Sequence, residues 1–152
     1  MQQEMIKEII QIIAATAGSA GFAIVFNIPK KKLVYAAMGG FLSWCFYLMF
    51  AHAGCNEYLC GFLAAALTTA YAEIMARVTK APAIMYVIVG TVPLIPGAGL
   101  YRSMFAMLRQ DMAAAKAQGA YALLFASSMA AGIVLTTLAE RFMMRRSRTE
   151  VK

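Results

Sequence analysis

Apolar residues run along this chain in long stretches, and the charged residues collect between them. The stretches cover residues 9–28, 33–53, 58–76, 81–101 and 117–139. At a helical rise of about 1.5 Å per residue, roughly 20 residues cross the ~30 Å hydrocarbon core of a bilayer. Four stretches meet that length outright. The third is marginal, because only 58–72 is free of charge before Glu73 intervenes. The pattern predicts an all-α, polytopic membrane helix bundle of about five spans. With such short connections, residues 1–152 read as a single integral membrane domain without a linker.

The fourth stretch is interrupted near its end by Pro93-Leu-Ile-Pro96-Gly97-Ala-Gly99. Proline at 93 and 96 removes two backbone donors, and glycine at 97 and 99 is expected to let the chain turn. At membrane depth the freed backbone groups are tolerated only against other protein or a watery cavity. In transporters, interrupted helices turn half-helix dipoles and unwound carbonyls toward substrate and coupling ion. Two prolines and two glycines in seven residues exceed what a simple kink needs, which makes the break a candidate binding site. Beyond it Tyr101, Met104, Phe105, Leu108 and Met112 recur at helical spacing, while Arg102, Arg109 and Lys116 repeat every seven residues. Residues 100–112 read either as an amphipathic interfacial helix before the fifth span or as an extension of the fourth.

Composition agrees with a membrane protein: 62% of the residues are hydrophobic and 14% charged. The net charge of +7 could indicate nucleic acid, but the basic residues sit at the ends of apolar segments, where topology explains them better. With five spans and the N-terminus outside, Lys30, Lys31, Lys32, Arg77, Lys80, Arg141, Arg145, Arg146, Arg148 and Lys152 all fall inside. Only Lys7, Arg102, Arg109 and Lys116 stay outside, and a re-entrant fourth segment would erode this bias. The expected arrangement is therefore N-out and C-in. Residues 9–17 could mimic a signal peptide, but the apolar run continues through Phe26 and Lys7 is flanked by Glu4 and Glu8, so the segment reads as a span.

Chemistry-bearing residues are sparse. Cys45, Cys55 and Cys60 give an odd count, which argues against a disulfide framework; Cys55 and Cys60 are read as small apolar filler or a bridge on the oxidising side. No spacing suggests a metal site, and no phosphate-binding loop implies ATP. With no nucleophile, metal cluster or carboxylate pair, an enzyme is the weakest class and no cofactor is expected. Ala14, Ala17, Gly18 and Gly21 form overlapping small-xxx-small pairs, which imply close packing against a neighbour inside or outside the chain.

Phe26-Asn-Ile-Pro29-Lys30 after the first span, then Ala72-Glu73-Ile-Met-Ala-Arg77 leading through Lys80-Ala-Pro82-Ala to Val92-Pro93-Leu-Ile-Pro96-Gly97-Ala-Gly-Leu-Tyr101-Arg102, resembles the threonine/serine exporter family. The resemblance is to its small second half, in the form that occurs as a separate protein. It implies a companion larger subunit, since that half also occurs fused behind a homologous one. Related split pairs have been linked to dicarboxylate export, so the resemblance leaves the substrate open between an amino acid and a carboxylate. An odd number of spans fits independently: a second unit is then inverted, with the site between the two. A companion subunit, or a homo-oligomer, would complete the pathway. A membrane scaffold that stabilises another subunit is the competing class.

Within this frame the break residues Pro93, Pro96, Gly97 and Gly99, with the Tyr101 hydroxyl and the Arg102 cation, are the expected contacts of a substrate carboxylate. Glu73 is the sharpest single residue, because an intramembrane carboxylate suggests ion coupling, although Arg77 at i+4 offers it a simple ion-pair partner. His52 at the outer end of the second span reads as an interfacial side chain or a proton carrier. Asn27 ends the first span or makes a polar contact in the pathway. Glu140, beside Arg141, reads as a solvated helix end.

Overall fold

The computed structural model describes residues 2–149, with side chains described for residues 2–142. The basic residues Arg145, Arg146 and Arg148 invoked for the topology lie outside the described side chains, and Lys152 lies outside the described residues altogether. Every regular element is helical: α1 Gln2–Val25, α2 Lys30–His52, α3 Glu57–Thr79, α4 Ala83–Thr91, a 3₁₀ turn Val92–Leu94, α5 Gly97–Leu108 and α6 Met112–Thr149. Helices α1, α2, α3 and α6 are each long and apolar enough to cross a membrane, and the bent pair α4/α5 supplies a fifth crossing if it counts as one span. The protein is thus an all-α polytopic membrane bundle.

Local chemistry explains where the helices stop. After α1 the chain turns at Asn27, whose φ of 54° is left-handed, while the Ile28 amide donates to the Ala23 carbonyl at 3.0 Å. Asparagine tolerates that conformation, and Pro29 then sits at the N-cap of α2. Lys80 plays the same part after α3 at φ 50°, with the Ala81 amide bonded to the Ala76 carbonyl. Asn56 caps α3 by accepting from the Tyr58 amide, and Asp111 accepts from the Ala114 amide at the start of α6. Side-chain oxygens thereby satisfy donors that a helix start leaves unpaired. Cys45, Cys55 and Cys60 are free thiols, with Cys60 Sγ donating to the Cys55 carbonyl.

Helix α3 is the centre of the bundle. Of its most apolar eighteen residues 44% are buried, against 17–22% in the corresponding stretches of the other three long helices. It packs on α6, α2 and α4, while α5 packs on α6. Small residues permit this: a Cβ on Gly132 of α6 would stand 2.4 Å from the Phe62 carbonyl of α3, and one on Gly90 of α4 would stand 2.8 Å from Thr68 Cγ2. Such contacts let helix backbones approach where lipid supplies no hydrophobic drive between them. On α1, Ser19 and Ala23 turn inward, whereas a Cβ added at Gly18 or Gly21 would meet nothing else within 4 Å among the described residues. The described residues thus supply no neighbour to close on these two glycines.

The fourth segment departs from the expected span at 81–101. Helix α4 with its 3₁₀ turn and α5 are twelve residues each, about 18 Å apiece at 1.5 Å per residue, and they meet at 55°. The break therefore lies midway along a longer helix pair rather than near the end of a span. The amphipathic helix expected before the last span is α5 itself. Its small residues Gly99 and Ala106 face inward, Ser103 Oγ donates to the Ala115 carbonyl of α6, and the apolar stripe from Tyr101 to Leu108 faces outward.

Candidate functional site

The break is best followed through its backbone hydrogen bonds. In a continuous helix the Val89 carbonyl would take the amide of residue 93, and the Val92 carbonyl that of residue 96; both residues are proline. Ser19 Oγ from α1 donates to the Val89 carbonyl at 3.1 Å instead, and the Ile95 amide donates to Val92 at 3.2 Å. The Gly97 amide then turns back onto the Ile95 carbonyl at 2.7 Å, and the Leu100 amide onto the Pro96 carbonyl at 3.2 Å. Between them, the amides of Ala98 and Gly99 belong to the first turn of α5 and have no intrahelical acceptor. Two donors and the positive end of a helix dipole are thus left at one place.

A cavity of about 210 Å³ opens there. The whole run from Pro93 to Gly99 lines it, together with Arg102 one turn into α5. The opposite wall comes from Trp44 and Tyr47 of α2 and from Gln118, Tyr121 and Phe125 of α6. Trp44 stacks on Tyr47 with ring centroids 5.3 Å apart, and Tyr47 and Tyr121 each lean on Phe125. The Trp44 Nε1 donor is buried without a partner, as is the hydroxyl of Thr68 pressed against Gly90. Leaving such a donor unmade costs about 1–3 kcal/mol. The cavity therefore combines one cation, two unpaired helix amides and an amide side chain with an aromatic wall. That set can hold a small anionic or zwitterionic group.

Of the residues expected at this site, Pro93, Pro96, Gly97, Gly99 and Arg102 come together around the cavity. Tyr101 does not: it is 68% exposed, is absent from the cavity wall and stacks on Phe105 along the outer face of α5. The glycines also act otherwise than expected. Neither Gly97 nor Gly99 has a positive φ; both are helical residues of α5, so the turn is made without left-handed glycine. A Cβ on Gly99 would approach Ala122 and Tyr121 of α6 at 3.3 Å, so its lack of a side chain lets α5 close on α6.

The charged candidates lie elsewhere. Arg77 pairs with Glu140 of α6 rather than with Glu73 one turn before it. Glu140, read from sequence as a solvated helix end, is 17% exposed and ties the C-terminal part of α6 to α3. His52 closes the opposite end of the bundle, with Nε2 at 3.1 Å from Glu8 of α1 and Nδ1 at 2.9 Å from the Leu48 carbonyl. Both ring nitrogens of His52 thus face oxygen atoms, one from α1 and one from its own helix. Glu73 lies sixteen residues along α3 from Glu57, which is about 24 Å of rise, so His52 and Glu73 belong to opposite ends and form no direct relay. Asn27 is exposed and ends α1.

Sequence reading did not single out Trp44, Tyr47, Gln118, Tyr121 or Ser19. The available signals were the lone tryptophan and a glutamine inside an otherwise apolar run, both hydrogen-bonding groups placed where lipid would penalise them.

A family profile described as "Threonine/Serine exporter, ThrE" matches residues 11–139, which takes in α2 to α5 with the break and most of α1 and α6. A "Threonine/serine exporter" of Corynebacterium glutamicum is 30% identical over 129 residues, covering 82% of this chain and 25% of the relative. The chain thus spans about a quarter of that relative's length. No solved structure matches it. A multi-pass helical membrane chain, matched by this profile over most of its length and carrying a cavity at its broken helix, belongs to the threonine/serine exporter family.

Proposed function

We propose that this chain is one subunit of a secondary exporter of the bacterial inner membrane, acting on threonine, serine or a related small carboxylate. It works with a larger companion subunit, or with further copies of itself. The observation that carries this reading is the cavity at the Pro93–Gly99 break, where Arg102 and the unpaired amides of Ala98 and Gly99 meet. A substrate carboxylate supplies the oxygens those donors lack, and the low dielectric around the cavity strengthens the bonds. Pro93, Pro96, Gly97 and Gly99 shape the cavity, and Tyr101 is left out of it. The energy comes from an ion gradient. Glu73 is the carboxylate assigned to ion coupling, because Arg77 is taken by Glu140 and leaves it without that counter-charge.

The test is copurification of the chain with its companion, followed by transport in proteoliposomes. L-Threonine, L-serine and succinate are supplied in turn under an imposed ion gradient. Gradient-dependent movement of one of them, lost in Arg102→Ala, supports the proposal. A complex that assembles but moves none of these solutes would instead mark the chain as a scaffold.

A further inference from the structure

Ser19 occupies an unusual position for a hydroxyl. It is fully buried in α1, which is otherwise the least buried of the long helices. Gly40 of α2 makes room for it, since a Cβ there would stand 1.9 Å from Ser19 Oγ. Most buried serine and threonine hydroxyls in this bundle donate to a carbonyl three or four residues back on their own helix, as Ser43, Thr69 and Thr91 do. Ser19 instead reaches across seventy positions to the Val89 carbonyl of α4. That carbonyl is the one whose helical donor Pro93 removes.

We infer that Ser19 is a positioning residue for the break: its hydroxyl replaces the amide that Pro93 lacks, and so ties α1 to the tilt of the cavity's α4 wall. The inference rests on reading that cavity as the substrate site. Without the Ser19 bond, the Val89 carbonyl is left unpaired in an apolar interior, and α4 relieves it by shifting. The 55° bend that shapes the cavity then changes with it. A second consequence concerns the whole pathway. Movement of α1 against its neighbours reaches the break through this hydrogen bond together with the packing of α1 on α4 and the 3₁₀ turn, without α1 lining the cavity.

A double-mutant cycle between Ser19→Ala and Pro93→Ala tests this on the copurified complex. In Pro93 protein, Ser19→Ala should lower the melting temperature and raise KM for L-threonine several-fold, with a smaller change in kcat. In Pro93→Ala protein the amide of residue 93 takes over the Val89 carbonyl, so Ser19→Ala should scarcely change the melting temperature. Should Ser19→Ala alone fail to accumulate, recovery of Ser19→Ala/Pro93→Ala to normal abundance carries the same conclusion. Equal loss of stability or abundance in both backgrounds overturns the coupling, and so does an unchanged KM in Ser19→Ala. The reading of the cavity has a separate failure: Pro93→Ala/Pro96→Ala that transports with wild-type KM discards the site even if the Ser19 coupling holds.

Discussion

Arg77 had two carboxylates to choose between, and the choice divides what the two do. Glu140 takes it across the α3–α6 contact, while Glu73, on the same helix as Arg77, is left over. The pair is half exposed on the arginine side, so its worth is that of an interfacial ion pair, about 1 kcal/mol or less. We expect Glu140→Gln and Arg77→Met each to lower the melting temperature by a few degrees. The double variant should lose no more than either one, as measured on the purified complex. Glu73→Gln should leave the melting temperature unchanged while abolishing gradient-driven transport. Near-normal, pH-responsive transport by Glu73→Gln would remove Glu73 from the coupling. Sequence spacing pointed to Glu73 with Arg77, because i,i+4 neighbours are visible in one dimension. The actual partner depends on how α6 is rotated against α3. Contacts such as Gly132 on the Phe62 carbonyl and Gly61 against Phe125 set that rotation, and no local spacing encodes them.

Among the elements, the broken helix was the most legible from sequence and the least well placed. Pro93 and Pro96 announce a break by chemistry alone, since neither can donate to the ladder. The break was expected near the end of a span and lies midway along the α4/α5 pair, with residues 100–112, read as an interfacial helix or as an extension of the fourth span, falling largely in α5 after a 55° bend. The cavity wall from α2 and α6 was illegible, because Trp44 and Gln118 become neighbours of the break only through packing. Restoring both amides in Pro93→Ala/Pro96→Ala should straighten the segment, hold or raise the melting temperature and cut transport at least tenfold. The two glycines should separate. Gly99→Val forces side-chain atoms into Ala122 and Tyr121 and should destabilise the α5–α6 contact. Gly97→Val meets nothing within 4 Å, so it should spare the fold and narrow the cavity, lowering transport more than stability. Equal destabilisation by the two valines would show that close packing on α6 is not what distinguishes them. Substrate affinity and melting curves, taken together, decide both points.

At the scale of the whole molecule, large hydrophobic side chains from Met5 to Phe142 face outward along the helices. Most of that surface suits lipid. The outward side of α1 differs, because Gly18 and Gly21 are open and leave a shallow strip where another helix backbone can approach closely. Sequence made the small-residue pattern visible but not its direction; Ser19 and Ala23 face inward, which turns the two glycines away from the chain's own core. We expect this strip to seat the companion subunit and the chain alone not to transport. The distribution of basic residues predicts an orientation with the N-terminus outside and the C-terminus inside. A cysteine at Gln3 should react with an impermeant thiol reagent in intact cells, and one at Ser147 should be protected, both in protein lacking the three native cysteines. Labelling in the opposite sense would invert the topology and move the inner ion pair to the outside. For assembly itself, Gly18→Leu/Gly21→Leu is the informative variant. A Cβ at either position would meet no other part of this chain within 4 Å, so the isolated subunit should keep its melting temperature. Copurification with the companion should fall several-fold, and transport should fall with it. Loss of melting temperature in the isolated subunit would place that face inside the fold instead. Full assembly at unchanged yield would mean that the strip faces only lipid, and full transport by the reconstituted monomer would show that the cavity at the break needs no second subunit to form a complete path.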